Sequence, residues 1–229
     1  MTAKKRAKQL VGKAPRVDRY VGSTCNAAGC TRPCRALSRY CSRHAQQFFR
    51  TRNPLGRMPR KSELNPWRAR VVHALDVYGL RDHEAIQATE RALERMIANP
   101  GGIAEEYARH WRRMYQYGVT GRDMLINILT VFGWRYVGLP NIVGDDALFF
   151  CVLGSRFLRT APLGWKFHSD GRKKEQVRLP GLECEVVGRA LSEKLYAVPL
   201  QFWQAEEREH NRRAYEALAI QDALKDNPL

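Results

Sequence analysis

The 229-residue sequence has no hydrophobic run long enough to cross a membrane. Its longest strongly apolar stretch, ALFFCVLG at 147–154, falls far short of the roughly 20 residues that a spanning helix requires. The basic start, MTAKKRAKQLVGKAPR, is not followed by the apolar segment of a secretory signal. These absences predict a cytoplasmic protein without a membrane partner. In that compartment closely spaced cysteines are more often metal ligands than disulfides.

Acidic residues are almost missing from the first 60 positions, where Asp18 stands alone against 15 lysines and arginines. This stretch therefore carries +14 of the formal net charge of +16, and residues 61–229 carry the remaining +2. The basic charge is thus a local property of the N-terminal part. A block of this kind typically binds a polyanion, because unbalanced positive charge repels itself and attracts phosphate groups.

Signatures of common catalytic and nucleotide-binding sites are also missing. The chain has neither a glycine-rich phosphate loop nor a nucleophile elbow. The most site-like remaining group is His168 with Asp170, followed by Lys173 and Lys174, since these could serve hydrolysis of a phosphate ester. A partner histidine or asparagine at suitable spacing is not found. A zinc-containing nuclease with its site in 161–181 is therefore kept as an alternative to a protein without enzymatic activity.

Four of the six cysteines and one histidine lie within CNAAGCTRPCRALSRYCSRH, residues 25–44. Four residues separate Cys25 from Cys30, two separate Cys41 from His44, and ten lie between the pairs. Two short-spaced pairs joined by a short loop are typical of a chain that surrounds a tetrahedral ion. Thiolates and an imidazole suit Zn²⁺, and the arginines between them favour the thiolate form that binds metal.

Cys34 leaves an alternative open, because it could be a buried neighbour of the site or a ligand in place of Cys25. In either case four sulfur and nitrogen ligands would close the coordination sphere, which predicts a structural zinc ion. The folded module would then hold its arginine side chains in place. Each planar guanidinium group can donate two parallel hydrogen bonds to a phosphate group or to the edge of a guanine base. The predicted nucleic-acid contacts are Lys4, Lys5, Arg6, Arg32, Arg35, Arg39, Arg43, Arg50 and Arg52.

The cysteine-rich stretch resembles a short zinc-finger module. The features in common are C-x4-C with Gly29 before Cys30, then Arg32-Pro33, then YCSRH at 40–44, then a basic aromatic segment ending at Arg50 to Pro54. This module is common near the N-termini of phage and mobile-element proteins and often precedes HNH endonucleases. The resemblance implies a treble-clef-like zinc site that contacts nucleic acid, and a phage or mobile-element origin. It covers about 30 residues, an eighth of the chain, and does not extend to residues 62–229.

The rest of the sequence predicts a mainly α fold. We expect a flexible basic arm at 1–24, a zinc-binding module at 25–56, a linker at 57–66, and an all-α domain at 67–229. That domain should hold six to seven helices and an irregular loop at 161–181, with room for a short hairpin.

Local signals place several of these helices. Asn65 followed by Pro66 predicts a helix start. Thr120 with Asp123 three residues on predicts another, close to a capping box. The third helix, at 103–117, should turn Trp111, Met114 and Tyr115 inward.

The leading hypothesis is a nucleic-acid-binding protein without enzymatic activity. The arginine-rich module favours DNA over RNA as the partner, although arginine beside aromatic residues also suits RNA. The near-neutral helical domain could form a homodimer or bind a protein. A further alternative is an adaptor or inhibitor. Its helical domain would bind a protein partner, and its basic module would bind an acidic protein.

Overall fold

The computed structural model describes residues 23–34, 38–100, 105–138, 146–163, 165–167, 173–176 and 179–226. The chain divides into two compact units, Met1–Gln46 and Gln47–Leu229. No helix in the described ranges is both long and apolar enough to span a membrane.

Helices dominate the described residues, which confirms the mainly α fold. The eight α-helices are α1 Ser42–Thr51, α2 Lys61–Asp76, α3 Glu84–Ala98, α4 Glu105–Gln116, α5 Gly121–Phe132, α6 Asp146–Leu158, α7 Gly181–Leu195 and α8 Ala197–Asp226. A 3₁₀ turn, Leu80–Asp82, precedes α3, and a π-helical turn, Gly133–Val137, follows α5. Two short antiparallel strands, β1 Trp165–Phe167 and β2 Lys173–Gln176, lie within the segment predicted to be irregular.

Helix α2 begins at Lys61, so the prediction of a linker through residue 66 and of a helix start at Asn65 was wrong. Glu63 explains the earlier start, because its carboxylate accepts the backbone N–H of Arg60 at 2.6 Å. The guanidinium of Arg57 also holds Glu63 through two bonds of 2.7 and 2.8 Å and lowers the pKa of that carboxyl to about 2. A carboxylate in the first turn also stabilises the positive end of the helix dipole. Pro66 is then tolerated in the second turn.

Helix α5 forms the centre of the helical body. It begins as predicted: Thr120 accepts the Asp123 N–H at 3.1 Å and Asp123 accepts the Thr120 N–H at 3.2 Å. The helix packs against α2, α3, α6 and α8, and most of its side chains are accordingly apolar and buried. Its fully buried side chains include Met124, Leu125, Ile128, Leu129 and Val131.

Helices α6 and α7 pack with their backbones in contact. A Cβ atom at Gly154 would lie 1.9 Å from the carbonyl oxygen of Cys184, and one at Gly188 would lie 1.9 Å from that of Phe150. Only glycine permits so close an approach of two helix backbones. The long connection through β1 and β2 therefore joins two helices that pack tightly together.

The long helix α8 is fixed to α2 by a buried ion pair. Arg70 donates to Glu206 at 2.6 and 3.0 Å, and its guanidinium lies 5.2 Å from the ring centres of both Trp67 and Trp203. The Glu206 side chain is 4% exposed and that of Arg70 is 40% exposed. The carboxylate therefore depends on Arg70 for its compensating charge.

We expect Arg70→Ala to destabilise the helical body by about 2 kcal/mol, because it leaves the Glu206 carboxylate buried without a cation. Losses of about 3–5 kcal/mol are usual for fully buried pairs, and the exposure of Arg70 reduces the effect. Urea unfolding followed by circular dichroism measures the change. Arg208→Ala, at an exposed position of α8, is the control and should change stability by less than about 0.5 kcal/mol. Equal stability of the two variants would contradict the prediction.

Candidate metal centre

A tight turn brings Cys25 and Cys30 together. Thr24 and Pro33 form an antiparallel bridge, and the Cys25 N–H donates to the Arg32 carbonyl at 3.0 Å. Within this frame the Cys30 N–H donates to the Ala27 carbonyl at 3.0 Å. Gly29 has a φ of +73°, which few residues other than glycine adopt. The C-x4-C spacing thus folds back on itself and places both thiols at one end of the turn.

Helix α1 positions the second pair of ligands. Cys41 directly precedes the helix, and its carbonyl accepts the Ala45 N–H at 2.8 Å. His44 lies in the first turn, one turn away on the same face. The Asn26 N–H donates to the Arg39 carbonyl at 3.0 Å. This bond links the first turn to the segment that leads into the helix.

The four side chains converge on one point. The ligand atoms of Cys25, Cys30, Cys41 and His44 all lie within 4.8 Å of one another. The His44 Nδ1 is 3.3 Å from the Cys25 Sγ and 3.6 Å from the Cys41 Sγ. In a tetrahedral zinc site, metal–ligand bonds of about 2.3 and 2.0 Å place sulfur and nitrogen about 3.6 Å apart. The donor set and its spacing therefore fit an ion such as zinc.

The environment of Cys25 favours its thiolate. Burial opposes ionisation of Cys25 and raises its pKa. Hydrogen bonds from the backbone N–H groups of Cys41 and Ala27, and hydrogen bonds with the side chains of His44 and Cys30, outweigh burial. Together they lower the Cys25 pKa to about 6. The Cys41 N–H donates to the Cys25 Sγ at 3.2 Å. Backbone donors of this kind stabilise a sulfur that carries negative charge.

Cys34 lies beside these four residues and is not one of them. It is 7% exposed, and burial together with the charge of Cys25 raises its pKa. Its N–H donates to the Ser23 carbonyl at 2.9 Å. Of the two alternatives for Cys34, the geometry favours the buried neighbour. Throughout the described ranges, Cys25, Cys30, Cys41 and His44 are the one group with metal-binding geometry.

The predicted nucleic-acid contacts have different surroundings. Arg32, Arg39 and Arg43 are exposed in the first unit, and Arg50 is exposed in the second. Arg52 is engaged within the helical body, because its Nε donates to Glu185 at 2.9 Å and its guanidinium lies 4.6 Å from the Phe48 ring centre. Outside the described residues lie Lys4, Lys5, Arg6 and Arg35, together with the nuclease candidates His168 and Asp170.

The sequence pattern did not reveal the groups that support the metal ligands. The Cys41 and Ala27 N–H groups hold the Cys25 sulfur, and Ala27 is itself 3% exposed beneath the turn. Almost every residue type has a backbone N–H group, so the sequence does not show which of these groups will donate to a sulfur atom. Only the folded turn shows it.

Comparison with protein-family models, with curated proteins and with solved structures finds no match for this chain. The metal-binding geometry of the four residues therefore stands on their positions alone.

Proposed function

We propose that the protein binds nucleic acid, DNA in preference to RNA, through a basic module that a structural zinc ion holds in shape. The observation that carries the proposal is the convergence of three thiols and one imidazole inside a unit that exposes arginines. Such a unit combines a rigid frame with positive charge. Both features suit the recognition of a phosphate backbone.

The residues buried in the first unit support a structural role for the ion. Its buried cluster consists of Cys25, Ala27, Cys34 and Cys41, with Cys30 and Tyr40 packed against it. Three of these are proposed metal ligands, so the described residues of this unit offer little apolar surface to stabilise the fold. A closed set of four ligands also leaves no position for a reactive water molecule. The ion then replaces a hydrophobic core.

The exposed arginines of the module support a polyanionic partner. Between Asp18 and Glu63 the sequence contains no acidic residue, so Arg32, Arg39 and Arg43 have no carboxylate near them in sequence. Arginine forks match phosphate oxygens and the edge of guanine in the major groove. Phe49 is 65% exposed and would stack on an unpaired base. The match between arginine and the major groove makes duplex DNA the first substrate to test, and the exposed Phe49 makes single-stranded DNA and RNA the matched competitors.

We expect the variant Arg32→Gln, Arg39→Gln, Arg43→Gln to bind DNA less tightly and with a weaker dependence on salt. Each lost phosphate contact should reduce the log–log salt slope by about 0.9, hence by about 2.7 for three. Fluorescence anisotropy of the zinc-loaded full chain measures both quantities on a labelled duplex. The same titration on single-stranded DNA and RNA of equal length compares the three substrates.

The control for this experiment is Arg81→Gln, Arg91→Gln, Arg95→Gln, which removes the same formal charge from exposed positions in and just before α3. That helix also bears Glu84, Glu90 and Glu94, which repel phosphate. The control should keep the slope of the unaltered protein. An equal loss in both triple variants, or no binding to any nucleic acid at low salt, would overturn the proposed function. Tighter binding to RNA than to the duplex would overturn the preference for DNA.

A further inference from the structure

The helical body gathers arginines from α4 and from the end of α6. Arg109 and Arg113 lie on α4, Arg156 lies in the last turn of α6, and Arg159 follows that helix directly. Burial lowers the pKa of Arg113, and the positive charges of Arg109 and Arg159 lower it further. Burial and then the charge of Arg159 lower the pKa of Arg156. These four side chains, the α4–α6 arginine cluster, are therefore close enough to repel one another.

Within the part of the chain that the structure describes, three members of the cluster bond only to neutral oxygen atoms. Arg113 donates to the Leu158 carbonyl at 2.5 Å, Arg156 to the Pro59 carbonyl at 3.4 Å, and Arg159 to the Ser155 hydroxyl at 3.3 Å. The Nε of Arg113 is buried without a hydrogen-bond partner.

Glu183 is the carboxylate that contacts the cluster. It accepts from Arg109 and lies 3.2 Å from the His110 Nε2. No other carboxylate among the described side chains forms an ion pair with any of the four arginines. Among the described side chains, one acid therefore faces four cations, and this group carries an excess of positive charge.

Some arginines elsewhere in the body are neutralised by acidic partners. Several form ion pairs with glutamate or aspartate, namely Arg57, Arg70, Arg122, Arg189, Arg212 and Arg213. The α4–α6 cluster differs in that four arginines from two helices lie together, while the described side chains give them one carboxylate, Glu183. Since such a cluster costs self-repulsion, a polyanion that neutralises it would bind there favourably.

The cluster reaches solvent beside one exposed tyrosine. Arg109 and Arg159 are exposed, as is Tyr117 at 59%, and Tyr117 interacts electrostatically with Arg113. Guanidinium forks at such a surface suit phosphate oxygens.

We propose that the α4–α6 arginine cluster is a second phosphate-contacting surface, on the helical body, for the nucleic acid that the zinc module binds. This inference rests on the proposed function and gives the helical body a part in it. Because the helical body is near neutral overall, the sequence predicted only contacts with protein for it. The proposal adds a contact with nucleic acid.

The test is the variant Arg156→Gln, Arg159→Gln in the zinc-loaded full chain, titrated with salt on the duplex used above. Loss of two phosphate contacts should reduce the log–log slope by about 1.8 and weaken binding roughly 30-fold at 0.15 M salt. The matched control, Arg212→Gln, Arg213→Gln, removes the same charge from α8, where both arginines bind Glu209. It should leave the slope unchanged.

Comparison with the module variant separates the two ideas. If the triple variant of Arg32, Arg39 and Arg43 reduces the slope and the α4–α6 variant behaves like its control, the second surface is overturned and the proposed function stands. If neither variant reduces the slope, the proposed function fails as well. Circular dichroism checks that Arg156→Gln leaves the fold intact. Should it not, Arg159→Glu alone, at an exposed position, decides the question, because charge reversal must weaken binding if phosphate lies there.

Discussion

Removal of the metal is expected to unfold residues 25–46 and to leave the helical body folded. Among its described residues, the first unit buries mainly the ligands Cys25 and Cys41, with Ala27 and Cys34 beside them. Without the ion this cluster has too little apolar surface to offset the loss of chain entropy. Structural zinc contributes about 10 kcal/mol or more to the folding of such small modules. The helical body has an extended apolar core of its own.

Hydrogen exchange read out by mass spectrometry, before and after chelation, measures this difference. Protection should disappear from residues 25–46 and persist in α5, whose side chains are almost all buried. Native mass spectrometry of the loaded protein should show one zinc ion per chain. Full protection of residues 25–46 after complete removal of the metal would contradict the prediction.

Two cysteine variants identify the ligands. Cys30→Ser should abolish zinc binding, and because Cys30 is the least buried of the three thiol ligands, its effect on packing should be the smallest. Cys34→Ser is the matched control, because Cys34 lies in the same buried cluster and outside the group of four. It should retain one ion per chain. Loss of zinc from the Cys34 variant would restore Cys34 to the ligand set.

The features that the sequence predicted well are those with a fixed local spacing. The four metal-binding residues converge because each pair spans a short piece of chain. Cys25 and Cys30 are joined by one tight turn, and Cys41 and His44 lie one helical turn apart. The start of α5 at Thr120 was predicted for the same reason, since a capping box involves residues only three apart. In both cases the interacting groups are neighbours along the chain.

The features that the sequence did not predict depend on partners distant in the chain. Tyr115 was expected to lie inward beside Trp111 and Met114, but it is 62% exposed, since α4 buries a narrower face than the periodicity implied. Arg52 was expected to face nucleic acid, and it is held by Glu185, 133 positions further on. The start of α2 moved to Lys61 because of the contact between Arg57 and Glu63. The type of a residue does not show which distant residue it will contact in the folded chain.

Gly188→Ala is expected to destabilise the helical body strongly, although helix propensity predicts the opposite. In an isolated helix, alanine is about 1 kcal/mol more favourable than glycine. At Gly188 the added Cβ would lie 1.9 Å from the Phe150 carbonyl oxygen and 2.9 Å from the Gly154 nitrogen. Both are backbone atoms, which cannot turn aside as a side chain can. Helices α6 and α7 would have to separate, and we expect a loss of about 3–5 kcal/mol in the free energy of unfolding.

Urea unfolding of Gly188→Ala measures this loss, with Gly118→Ala as the reference variant. Gly118 has a φ of +63° and open space around its Cβ position, so alanine there should cost only about 1–2 kcal/mol of backbone strain. Gly154→Ala should match Gly188→Ala, because its Cβ meets the Cys184 carbonyl from the opposite helix. The double variant Gly154→Ala, Gly188→Ala should lose clearly less than the sum of the two, since helices already separated by one methyl group accommodate the second at smaller cost. A stabilised Gly188→Ala, as propensity alone predicts, would show that the two helix backbones do not approach this closely.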